Sequence, residues 1–172
     1  MKSFKIAYLG LLGAGAITLS FLESLLPPLP FLPPGAKAGF SNIVTMFAAG
    51  SWGLAPALTL CILKSLFVLF TRGITAFCMS LAGGLFSTLI MWLCLRGRLS
   101  LIFTGIVGAV AHNTAQLGVA VVLTGTPHLF TYYPFLLLFA LAAGSITGVL
   151  LHFIYEPLSS LNEKLNLTQK GG

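Results

Sequence analysis

Long apolar blocks parted by short turn signals set the rhythm of this chain. They fall at residues 6–26, 38–51, 54–70, 74–95, 99–123 and 130–155. Most approach the roughly 20 apolar residues that an α-helix needs to cross the hydrocarbon core of a bilayer. The second block is short, which predicts a tilted or partly re-entrant segment. Pro27, Pro28, Pro30, Pro33 and Pro34 close the first block, because proline lacks the N–H and fixes φ. Pro56 falls in the first turn of the third block, where proline is tolerated. After Pro157, Leu158, Leu161 and Leu165 recur at helical spacing, as in a short helix lying on the membrane surface or in a frayed terminus. The pattern predicts an all-α, polytopic membrane protein of about six transmembrane helices. One transmembrane domain is expected over residues 1–156, with a short cytoplasmic tail at 157–172.

Composition supports lipid as the solvent. Of the 172 residues, 57% are hydrophobic and 7% charged, with a mean hydropathy of +1.00. A soluble domain carries roughly 25% charged residues to solvate its surface. The start, Met1-Lys2-Ser3-Phe4-Lys5 before an apolar run, is shaped like a signal peptide. The run is too long for the usual apolar region of one, so it reads as an uncleaved first helix.

Charge then gives orientation. The net charge is +6, but the nine Lys and Arg are scattered at helix ends and form no phosphate-reading cluster, so nucleic acid is not an expected partner. With the N-terminus inside, Lys2, Lys5, Arg96, Arg98, Lys164 and Lys170 fall on the cytoplasmic side. Lys37 and Arg72 are left outside. This arrangement predicts N-in, C-in, with Trp52, Trp92 and Tyr155 in the inner aromatic belt and Tyr132 and Tyr133 in the outer one. Cys61, Cys78 and Cys94 sit in apolar runs without a CxxC pair and read as small hydrophobes. No metal and no cofactor are expected.

Small residues four apart mark close helix contacts. Gly10 and Ala14, then Ala16 and Ser20, recur in the first helix; Ala140, Gly144 and Gly148 recur in the sixth. Internal packing and a docking face for a second membrane protein both satisfy that spacing.

Ionisable and amide side chains inside a bilayer are costly, and each asks for a reason. Glu23, Lys37, Asn42, Lys64, Arg72, His112, Asn113 and Gln116 all map to the outer half or midplane. His112 and Gln116 are four apart and share a helix face. Each has a structural alternative: Lys64 snorkelling outward, Glu23 in an ion pair, the amides bonding between helices, Arg72 anchoring at the interface. Their convergence is harder to explain by packing. The three cations Lys37, Lys64 and Arg72 against the carboxylate of Glu23 predict a small anionic ligand, under a stiff proline-rich cover at 27–34. Catalysis is not expected. The chain has no aspartate, no phosphate-cradling Gly-rich loop and no nucleophile–base constellation.

The order Leu22-Glu23-Ser24-Leu25, Pro27-Pro28-Leu29-Pro30, Gly35-Ala36-Lys37-Ala38-Gly39 and Asn42 resembles the Gx transporter family, also labelled heptaprenyl diphosphate synthase component I. Ser80-Leu81-Ala82-Gly83-Gly84 and Ala111-His112-Asn113 with Gln116 are similar to its later motifs. The resemblance implies a protein like the substrate-binding S components of energy-coupling factor (ECF) transporters in a bacterial plasma membrane. Such a protein takes up a small molecule and docks on a membrane coupling subunit and an ATPase module. It also implies a partner-facing role for Gly10, Ala14 and Ala16. The second label implies an alternative, an accessory membrane subunit of a polyprenyl diphosphate synthase with no catalysis of its own. Soluble prenyl synthases use Asp-rich motifs, which this chain lacks. A stand-alone small channel or carrier is a third reading.

Overall fold

The computed structural model describes residues 2–25 and 39–168, with side chains at 6–25, 39–158 and 160. The proline-rich stretch and Lys37 lie outside the described residues. The elements are α1 (Lys2–Leu25), α2 (Asn42–Trp52), α3 (Leu54–Arg96), α4 (Leu101–Thr124), a 3-10 turn (Pro127–Tyr132) and α5 (Tyr133–Thr168). Four of these helical segments are long and apolar enough to cross a membrane, which makes this a multi-pass membrane protein.

At 43 residues, α3 would measure about 65 Å if straight, twice the hydrocarbon core. It is not straight. Gly73 adopts φ 83, ψ −178, a conformation open essentially to glycine alone. Ser65 Oγ lies 3.3 Å from Ser80 Oγ, and Cys61 packs against Gly84. These pairs sit at matching distances on either side of the bend, so α3 is a hairpin of two antiparallel arms, 54–72 and 74–96. The arms correspond to the third and fourth apolar blocks.

The other boundaries have local causes. Helix α2 has 11 residues, about 16 Å, and cannot cross the bilayer alone. It starts at Asn42, four residues later than its apolar block, and Gly53 at φ 90, ψ −172 parts it from α3. Helix α4 begins at Leu101 because the Ser100 side chain accepts the Phe103 N–H at 3.2 Å, an N-cap bond. Gly125 in the left-handed region ends it. The block expected from residue 130 becomes helical only at Tyr133, since Pro127 opens a 3-10 turn first. Nor does it stop at Tyr155: α5 continues through Pro157 to Thr168. Of the two readings of the tail, the frayed one gives way to a continuing helix.

Packing explains the small residues of α5. A methyl group on Gly144 would lie 2.6 Å from Ile106 Cα, and one on Gly148 would lie 2.5 Å from Ile102 Cα. Ala140 is fully buried on the same stripe. This row is therefore an internal seam where α4 and α5 approach backbone to backbone.

One end of the bundle is aromatic and basic. Tyr8 and Trp52 lie 5.0 Å apart, Phe47 and Tyr155 5.6 Å, and the Arg96 guanidinium sits 5.2 Å above Trp92. Tyr8, Met46, Phe47, Met91 and Leu151 form the core beside them, with Leu101 and Leu158 packed on it. The start of α1 and the ends of α2 and α3 therefore share a level with the start of α4 and the late part of α5. The Gly73 bend, Gly125 and the 3-10 turn lie at the other end. The expected inner-belt residues Trp52, Trp92 and Tyr155 thus do share an end, with Tyr132 and Tyr133 opposite.

Candidate functional site

Between the two ends, the first turn of α2 brings Ser41 and Asn42 against α1 and the first arm of α3. Ser41 donates its backbone N–H to Glu23 Oε1 at 3.1 Å, and its hydroxyl lies 3.5 Å from Glu23 Oε2. From the other side, Lys64 Nζ donates to Ser41 Oγ at 3.2 Å and to Asn42 Oδ1 at 2.8 Å. Lys64 is 2% exposed, so its ammonium is held by these groups instead of snorkelling to an interface. Ser41 therefore stands between a carboxylate and an ammonium and bonds to both.

Gly39 extends this cluster to α4. Its φ of +81 makes the turn into α2, and a β-carbon there would lie 3.1 Å from Asn42 Nδ2 and 3.7 Å from His112 Cδ2. On the far side of His112, a β-carbon at Gly83 would lie 3.0 Å from its Cε1 and Nδ1, and 2.8 Å from Gln116 Cγ. His112 thus fits between two glycines, one before α2 and one on the second arm of α3. Gln116 Nε2 lies 2.9 Å from His112 Nε2, the one-turn pairing their spacing predicts. Asn113 points toward α5 and donates to the Leu136 carbonyl at 3.4 Å.

Six of the eight expected site residues are therefore buried: Glu23, Asn42, Lys64, His112, Asn113 and Gln116. Glu23, Asn42 and Lys64 are joined through Ser41 in one group, which meets His112 at Gly39 and, through His112, its partner Gln116. Arg72 is not drawn in; it is exposed beside the Gly73 bend. Lys37 lies outside the described residues. The sequence reading missed Ser41, the residue that ties the group together. Its signal was its place, a hydroxyl in the turn that launches α2, directly before Asn42.

Glu23 also lines an open groove of about 570 Å³ between α1 and α5. Its other walls are apolar apart from Thr147, among them Leu19, Leu22, Ile43 and Leu150.

The small residues of α1 divide. Gly10 and Ala14 are exposed on one face, and a β-carbon at Gly10 would meet nothing within 4 Å. Ala16 is fully buried and faces the core. It cannot belong to the same docking face, because two residues along a helix turn about 200° away from Ala14.

Residues 12–154 match the sequence profile of heptaprenyl diphosphate synthase component I. The chain belongs to that family. In three dimensions this member of the component I family is similar to a structure described as the S component of a bacterial ECF transporter. The match has a TM-score of 0.56 at 17% identity and covers 96% of this chain and 98% of that one. The component I chain thus shares the fold of a transporter S component. No curated protein matches its sequence.

Proposed function

We propose that this protein is a substrate-binding membrane subunit of the S-component kind, taking up a small molecule and energised by a separate partner module. The carrying observation is the buried polar group formed by Glu23, Ser41, Asn42, Lys64, His112 and Gln116 inside an S-component fold. Polar side chains at this depth are expensive unless they pair or serve a ligand. The single domain sits in the bacterial plasma membrane with the aromatic, basic end in the cytoplasm. The two arms of α3, with α1, α4 and α5, make five crossings, and α2 is the short sixth segment. Gly10 and Ala14 face the membrane coupling subunit, which brings the ATPase module.

The expected charge of the ligand needs reweighing. It rested on three cations, of which Arg72 is exposed and Lys64 is bonded to Ser41 and Asn42 beside a carboxylate. The synthase in the family description does not carry over as chemistry. The chain has no aspartate for the Asp-rich motifs that soluble prenyl synthases use.

The test is to purify the protein in mild detergent and identify small molecules released on denaturation by mass spectrometry. A molecule retained by the wild type and reduced about tenfold in His112→Ala is expected, as for loss of a buried hydrogen-bonding group. A wild-type protein that carries nothing and supports no uptake in vesicles would sink the reading.

A further inference from the structure

Three amide side chains around His112 each keep a buried polar atom without a hydrogen-bond partner among the described residues: Asn42 Nδ2, Asn113 Oδ1 and Gln116 Oε1. These residues are 6%, 3% and 3% exposed. Buried polar groups in native proteins are nearly always satisfied, so three on neighbouring helices call for an occupant. Their chemical sense can be read from the bonds they do make. Lysine only donates, so the Asn42 atom facing Lys64 is the oxygen, and the unpartnered atom is a donor. A backbone carbonyl only accepts, so the Asn113 atom facing Leu136 is the nitrogen, and the unpartnered atom is an acceptor. Gln116 adds a third position, an acceptor when its nitrogen faces His112 and a donor when its oxygen does, with the His112 tautomer exchanged to match.

The charges nearby are already matched. Lys64 is engaged by Ser41 and Asn42, and Ser41 in turn by the Glu23 carboxylate. An anion placed among the three amides would find Lys64 already committed and Arg72 exposed at the Gly73 bend, so neither offsets its desolvation, whereas a neutral group with its own donor and acceptor would satisfy all three. Resting on the substrate-binding reading, we infer that the substrate is neutral and presents an amide-like face, with an acceptor for Asn42 Nδ2 and a donor for Asn113 Oδ1. Carboxamides, imides and cyclic ureides have that pattern. Carboxylates and phosphates do not.

Two matched pairs of probes separate these classes: nicotinamide against nicotinate, and uracil against orotate. Each is added at millimolar concentration to the full-length protein in detergent, and thermal unfolding is followed. The neutral member of at least one pair is expected to raise the melting temperature, with its anionic counterpart at least about tenfold weaker. Asn113→Leu should abolish that shift, and Gln116→Met does the same by a second route should the first variant fold poorly. Gly10→Leu, outside the site, should keep it. Anions binding as well as their neutral partners, no shift with either neutral probe, or a shift that survives both amide replacements would each overturn the assignment. A retained molecule lost in His112→Ala, together with failed neutral probes, would discard the amide class and leave the substrate-binding reading standing. Neither a retained molecule nor any probe shift would end both.

Discussion

Lys64 Nζ donates to Asn42 Oδ1 at 2.8 Å across the contact between α3 and the first turn of α2. That bond ties the short helix, which has no membrane-spanning length of its own, to the hairpin. It also turns the Asn42 nitrogen toward Gly39 and His112. A charge-assisted bond of this kind contributes about 1.5–3 kcal/mol. Lys64→Met should therefore lower stability by about that amount in a detergent unfolding experiment. Glu23→Gln combined with Lys64→Met should cost less than the sum of the single changes, because the pair loses its charges together. Strict additivity would show that Ser41 does not couple them.

The Gly83 surface is the complementary test, since it touches the site without belonging to its polar set. A methyl there would press on Gln116 Cγ at 2.8 Å and on the His112 ring at 3.0 Å. Gly83→Ala should displace the His112–Gln116 pair and reduce the retained small molecule at least about tenfold, at a stability cost of about 1–3 kcal/mol. Unchanged retention would mean that the pair is helix glue and no part of a binding site.

Gly73 and Gly53 decide the architecture in a different way, through backbone alone. Both hold positive φ with extended ψ, and neither would bring an added β-carbon within 4 Å of anything. Gly73→Ala and Gly53→Ala should each cost about 1–3 kcal/mol from conformational strain, with no change in the site's chemistry. Melting curves alongside ligand retention separate this from the Gly83 effect: stability falls while retention at low temperature persists.

How much of this was legible beforehand follows from what each feature depends on. The apolar blocks reported helix identity faithfully, because lipid demands long apolar runs and continuous backbone bonding. They even parted the two arms at Gly73, although nothing in their hydropathy says that the chain reverses there. Depth along a helix is a matter of counting, which set Lys64, His112 and Gln116 in one layer as an expectation; all three are buried. Direction around a helix is harder to read from spacing pairs taken separately. Ala16 was grouped with Gly10 and Ala14 yet turns inward, and the glycines of α5 face α4 instead of a partner. Ser41 went unnoticed because its importance lies in two side chains that reach it from 18 and 23 residues away.

The two small-residue rows make the last prediction, because they have the same sequence pattern and opposite surroundings. Gly144 and Gly148 press on the α4 backbone, so Gly144→Ala should destabilise the protein by about 1–3 kcal/mol through overpacking. Gly10 opens onto empty space and Ala14 is exposed, so Gly10→Leu with Ala14→Leu should leave unfolding within about 0.5 kcal/mol of wild type. If that face receives a coupling subunit, the bulky pair blocks the close backbone approach on which membrane helix association depends. Uptake into cells and copurification of a membrane partner should then be lost while binding to the isolated protein persists. Normal uptake by the double leucine variant would show that α1 faces lipid there and that the energising module, if present, docks elsewhere.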